Sequence, residues 1–308
     1  MALPALIDRI EAIIHRDVGR GMEAIFAASR GGLSSAASAL AAERAPHIGL
    51  MTGFFVPGGD PPAAETDGPA SAALLARAFG GVGVPCRLVT DTLCADAARV
   101  ALERAGAVGV PVDTVAPGQS PDGVTEHWRR FGITHVVAIE RCGPATDGGV
   151  CNMRGVDISA HTAALEQVFL AGPWQTIGIG DGGNELGMGS MPRSLLHRHV
   201  PHGARIGCTV PADHLITAGV SHWGGYALAA ALAALRPDWA ASMQTVLDPA
   251  LDRAVLEAMV RDGPAVDGVT GRREATIDGL PLTEHHAVLA RIRACGRGSP
   301  RASDPSNQ

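Results

Sequence analysis

The chain has 308 residues, 46% apolar and 18% charged, which is the composition of a globular protein with ample core and not of a disordered segment. Its formal net charge is −6 with no basic face in view, which argues against nucleic acid as a partner. All 25 basic residues are arginine; without lysine there is no PLP Schiff base, no Schiff-base aldolase and no Walker-A or kinase lysine, whereas bidentate grips on carboxylates remain available.

Apolar residues at 3, 6, 7, 10, 13 and 14 predict a helix over Leu3–His15. The Ala- and Ser-rich stretch Gly31–Glu43 predicts a second. Its start, Ser29-Arg30-Gly31-Gly32, reads as a tight turn, with an anion-binding helix start as the alternative. Short apolar strands then alternate with helices. The strands fall at His47–Thr52, Arg87–Thr90, Val112–Ala116, His135–Ile139 and Thr176–Ile179. The helices fall at Pro69–Phe79, Ala95–Ala105, Val124–Phe131, Ala160–Leu170 and Glu185–His199. Ala204–Val210 and His214–Thr217 are further strand candidates, and Gly225–Leu235 and Pro249–Val260 read as helices. This order predicts an α/β fold, a Rossmann-like, doubly wound, mainly parallel sheet with helices on both faces.

The expected organisation is a single domain over 1–295 and a disordered Ser/Pro/Arg-rich tail over 296–308. Six cysteines without a CxxC pair read as buried small side chains in a reducing compartment. Asp8, Arg9 and Glu11 make the first segment unlike a signal peptide, and the longest apolar run, Tyr226–Leu235, is too short to span a bilayer. The expectation is a cytoplasmic protein without a membrane partner.

Ligands of doubly wound sheets bind beyond the carboxyl ends of the strands. The residues there are Glu65 and Asp67 in the Gly/Pro loop after the first strand, then Asp91, which reads as a helix N-cap. Glu140, Arg141, Asp147, Asn152, Arg154 and Asp157 follow His135–Ile139; Asp181, Asn184 and Glu185 follow Thr176–Ile179. Glu140 and Asp181 come directly after apolar strands in Gly-rich loops, which suits cation binding or proton transfer. Gly178 to Gly183 formally fits GxGxxG. Asp181 and Glu185 would repel a pyrophosphate, however, and no acid follows about twenty residues on to hold a ribose, so NAD is disfavoured. The same two acids suit an ammonium group or a hard Mg²⁺ or Mn²⁺ ion. His222 stands at a helix start and is either a general acid or a packing residue. His197, His199 and His202 read as part of a solvated basic face, and Cys142 and Cys151, lacking an adjacent His, as structural.

Six segments carry a resemblance: "IERCGPATDG…NMRGVDIS", "TIGIGDGGNELGMG", "AGVSHWGGYALA", "TGFFVP…ETDGP", "LVTDTLC" and "DGVTGRREATIDGLP". From about Arg16 to about His286 the sequence resembles the D-glutamate cyclase C-terminal domain. The resemblance implies a hydro-lyase that interconverts D-glutamate with 5-oxo-D-proline and water. Pro144, where an arginine is usual, and Val150-Cys151 before Asn152 depart from the family pattern within the presumed substrate loop. The reaction needs an amine that loses a proton, a neutralised γ-carboxylate and a folded substrate chain. Arg141 or Arg154 would clamp a carboxylate. Asp181, Glu185 and Glu140 would hold the ammonium or a metal, with Asp181 and Glu185 as the metal pair. His222 or Glu65 would move the proton, and Asn152, Asn184, Asp67, Gly182 and Gly183 would complete the substrate site. The partner is then a small acidic amino acid, with a homo-oligomer left open. The rival readings are a non-catalytic amino-acid or nucleotide-binding module and a metal-dependent lactam or amide hydrolase.

Overall fold

The computed structural model describes residues 2–296. Nine strands form among them: β1 (Ile48–Met51), β2 (Phe55–Val56), β3 (Ala63–Glu65), β4 (Cys86–Asp91), β5 (Val112–Val115), β6 (His135–Ile139), β7 (Gln175–Gly180), β8 (His214–Thr217) and β9 (Ala265–Val266). Six of them build a sheet in the order β5-β4-β1-β6-β7-β8, and every neighbouring pair is parallel. This is the doubly wound α/β architecture. The inner strands β1 and β6 are buried along their whole length, as strands covered on both faces must be, which is why they read as unbroken apolar runs.

The chain winds from β1 outward through β4 to β5, then returns to the other side of β1 with β6. The direction reverses between β1 and β6, and that is where such sheets bind ligands, beyond the carboxyl ends. Register fixes what meets there. Met51 pairs with Ala138, Ile139 with Ile179, and Gly180 with Thr217, so Glu140, Asp181 and the turn after β8 arrive at one edge. Gly68, at φ 78°, starts the helix Pro69–Gly80 within this edge; a side chain there would meet Thr52 Oγ1 and the Glu140 Cβ.

One face of the sheet carries the helices Leu3–Ile14, Gly32–Ala42, Pro69–Gly80, Ala95–Ala105, Ser221–Leu235 and Leu282–Gly296 around a single large apolar cluster. The other carries Glu23–Ala28, Asp122–Phe131, Glu166–Ala171 and Arg193–His199 around a second. A small sheet, β2-β3-β9, lies apart from the main one; β2 is antiparallel to β3 and β3 parallel to β9. It ties the Gly/Pro loop after β1 to the segment that follows the helix Pro249–Arg261, and so sets Glu65 beside Val266.

Several local readings change. Glu185–His199 is helical only over Arg193–His199, because the glycines at 182, 183, 187 and 189 favour loop. Ala160–Leu170 shortens to Glu166–Ala171 after one 3-10 turn. The expected strand Ala204–Val210 is instead a single helical turn, Gly203–Ile206, and irregular chain. The helix expected from Gly225 starts at Ser221, and the helix Leu282–Gly296 is additional. Apart from Gly296, the expected tail lies outside the described residues. The Ser29–Gly32 turn is closed by Glu11, whose carboxylate accepts from Gly31 N (2.8 Å) and Leu33 N (2.9 Å). All six cysteines are free and buried, and no helix among the described residues is long and apolar enough to cross a membrane.

Candidate active site

At the switch point four carboxyl groups, Glu65, Glu140, Asp181 and Asp278, and two guanidinium groups, Arg20 and Arg154, line a cavity of about 410 Å³. Glu140 follows β6 directly. Its backbone is left-handed, φ 46°, a strained conformation for a residue with a side chain. Its carboxyl accepts from Ser221 Oγ at 2.5 Å. Asp181 follows β7; one oxygen accepts from Ser221 N (2.7 Å) at the start of the helix Ser221–Leu235, and the other pairs with Arg20 (2.6 Å). A helix start favours a negative group there. Arg20 also pairs with Asp278 (2.6 Å) and so bridges two acids from distant parts of the chain. The Arg20 loop is itself held by Asp17, whose carboxylate accepts from the backbone N–H groups of Gly19, Arg20, Gly21 and Met22.

Electrostatics follow from this crowding. Burial, then the charges of Asp181 and Glu185, push Glu140 well above the usual carboxylate range. Burial does the same to Asp181 against the opposing pull of Arg20, and burial with Asp278 and Asp67 raises Glu65. Asp278 and Asp181 hold Arg20 firmly charged although burial opposes it. Asp67 is pushed up to about 7, first by burial and then by Asp278. The folded chain therefore binds that proton more tightly than the unfolded chain does. Asp67's contribution to stability is full below its ordinary range and is lost as pH rises through about 7. Asp67→Asn is expected to melt above the wild type at about pH 8, with the gap closing at about pH 4. Thermal melts at both pH values check this, and an equal gap at both would refute it.

A sequence model described as "D-glutamate cyclase-like, C-terminal" matches residues 10–293. The chain belongs to the D-glutamate cyclase-like C-terminal domain family. It is 30% identical over 288 residues to the human mitochondrial D-glutamate cyclase, an alignment that covers 82% of this chain and 46% of the human protein. The chain thus spans about half the length of that curated relative.

In this member of the D-glutamate cyclase-like family, Glu65, Glu140, Asn152, Arg154 and Asp181 line the cavity together, as their places in the sequence suggested. Arg154 is exposed at the mouth, where it donates to the Val269 carbonyl (2.6 Å), and Asn152 shapes the loop by accepting from Arg154 N and Val156 N. Other candidates are spent elsewhere. Arg141 is no substrate clamp: it is fully buried, paired with Asp91, and donates to the Gly53 (2.8 Å) and Ala163 (2.6 Å) carbonyls. Asp91 is correspondingly not a side-chain helix cap. Asn184 joins two loops through Cys142 Sγ and the Cys151 carbonyl. Glu185 turns back on its own loop and accepts from Asp181 N (2.7 Å), Gly182 N (2.5 Å) and Gly183 N (2.7 Å). Those are the N–H groups that a dinucleotide loop would offer to pyrophosphate. They also withdraw Gly182 and Gly183 from substrate contact.

Two acid trios bring their oxygens within 4.8 Å of one another: Asp67, Asp181 and Asp278, and Glu140, Asp181 and Glu185. Oxygen donors suit a hard dication. In the second trio, however, Glu185 already holds three N–H groups, and in the first Arg20 sits between Asp181 and Asp278. In both trios, then, protein donors already engage some of the oxygens that an ion would use. His222 stands behind the cavity wall. Its Nε2 bonds Asp252 (2.6 Å), which in turn accepts from His286 (2.9 Å). Burial opposes charge on His222, but the Asp252 carboxylate outweighs it and raises the ring above its ordinary value. Its backbone N–H points at Asp67 (3.4 Å).

Arg20 and Asp278 escape a strand-by-strand reading because neither follows a strand of the main sheet. Each had a local signal. Asp17 with Gly19 and Gly21 marks a built turn around Arg20, and Asp278-Gly279 is a turn pair whose aspartate stands at φ 57°.

Proposed function

We propose that the protein closes D-glutamate to 5-oxo-D-proline, releasing water, and catalyses the reverse. The observation that carries this reading is the crevice in which Glu140, held toward its protonated form, stands beside Asp181, which pairs with Arg20, at the switch point of a D-glutamate cyclase-like fold. A carboxylate is a poor electrophile, and a neutral carboxyl placed against it can supply the proton it lacks. Glu140 is the donor to the departing γ-oxygen in this reading. Asp181, or Glu65 facing the same cavity, takes protons from the α-ammonium. The amine nitrogen then bonds to the γ-carbon, the carbon–oxygen bond breaks, and the two protons shed by the ammonium leave in the water. Arg154 and Asn152 at the mouth would hold the α-carboxylate. Bringing both ends of the substrate together in one cavity supplies the orientation that ring closure needs.

The test is direct. Purified protein is incubated with D-glutamate, L-glutamate or 5-oxo-D-proline, with Mn²⁺, Mg²⁺ or a chelator, and interconversion is followed by chiral chromatography. D-selective interconversion is expected. The chelator arm reports whether an added ion joins the acids, and turnover of none of the compounds would overturn the reading.

A further inference from the structure

The cavity has a second character that free glutamate does not use. Beside the acids, its lining includes Phe54, Val56, Pro57, Met153, Val156 and Val269. Only six large apolar side chains are exposed among the described residues, and two of them, Val156 (54%) and Val269 (44%), stand at this mouth. Apolar surface held in water at a pocket rim marks contact with something apolar. At about 410 Å³ the space is in the range of pockets that enclose larger organic ligands. Glutamate is smaller than such ligands and has only methylenes to offer this lining.

Charge points the same way. The floor presents Glu65, Glu140, Asp181 and Asp278 against a single deep cation, Arg20, which is already shared by Asp181 and Asp278. Free glutamate would bring a second charged group into this floor, where burial disfavours charge on any carboxyl. A substrate whose γ-carboxyl is already masked brings one carboxylate, and that one belongs at the mouth beside Arg154.

We infer that the preferred substrate is a γ-amide of D-glutamate whose amide nitrogen carries an apolar group. The inference rests on the ring-closing reading above and names its leaving group. The α-amine nitrogen bonds to the γ-carbonyl carbon, and the amide carbon–nitrogen bond breaks. The two protons shed by the α-ammonium depart on the released amine as its ammonium form. The products are 5-oxo-D-proline and an amine, and no oxidant, reductant or further reactant is needed.

The experiment compares γ-D-glutamyl-n-butylamide, D-glutamine and D-glutamate as substrates of the full chain, with the L-butylamide as control, by chromatography of 5-oxoproline and the freed amine. The expected order in kcat/KM is butylamide above D-glutamine above D-glutamate, with the butyl group contributing about tenfold or more. Val156→Asp is expected to shrink the butylamide advantage over D-glutamine severalfold. Turnover of D-glutamate with a butylamide no better would overturn this inference and leave the cyclase reading standing. A butylamide equal to D-glutamine would overturn the apolar requirement. Turnover of none would overturn both readings.

Discussion

Asp181→Asn is expected to lower kcat for ring closure by about 10²–10⁴, the range that a positioned acid or base contributes. The substitution is nearly isosteric. An amide oxygen can still accept from Ser221 N, so the start of the helix Ser221–Leu235 keeps its partner. What is lost is a titrating proton and the charge opposite Arg20. Arg20 keeps Asp278, and removing one of several crowded acids offsets the weakened ion pair. The melting temperature should therefore change little while turnover collapses. Chiral chromatography and a thermal melt on the same preparation check both halves. Full turnover in the Asn variant would remove Asp181 from the chemistry, and a binding module would show weaker affinity without any turnover to lose.

Arg141→Met should do the opposite. Arg141 is 1% exposed, and it satisfies Asp91 and the carbonyls of Gly53 and Ala163, which are buried like itself. Taking one partner from a buried pair leaves the other charge uncompensated, at a cost of about 3–5 kcal/mol. A fall in melting temperature of roughly 10 °C is expected. Below that temperature, KM for the substrate should stay close to the wild-type value, since Arg141 does not line the cavity. A double-mutant cycle with Asp91→Asn should recover part of the loss, because the two changes share one interaction. An unchanged melting temperature with a raised KM would mean that Arg141 grips substrate after all.

These two variants separate residues that stand one position apart, Glu140 and Arg141, at the end of one strand. Both follow β6, and side chains alternate in direction along extended chain. Here the left-handed backbone at Glu140 presents its carboxyl to the cavity, while Arg141 goes to Asp91 on β4. Nothing in the local sequence distinguishes a cavity arginine from a buried one. The decision lies with Asp91, which belongs to a neighbouring segment and had the look of a helix cap.

The α/β class, most of the strands and helices and the end of the sheet that carries the site were legible in the sequence. Hydrophobic period and strand–helix alternation are local properties, and a doubly wound sheet confines ligands to its carboxyl edge. That reasoning found Glu65, Glu140, Asn152, Arg154 and Asp181 at the cavity. It assigned Glu185, Asn184 and Arg141 to the same place because composition shows which groups are available and not which are already bonded. Glu185 is consumed by its own loop, Arg141 by β4, and Arg20 arrives from a turn near the N-terminus to join acids from β7 and from the segment after β9. Pairing among charges distant in the chain depends on strand register and loop closure. Only the tertiary structure could decide which acids share the crevice, which cation meets them, and how far burial shifts their protons.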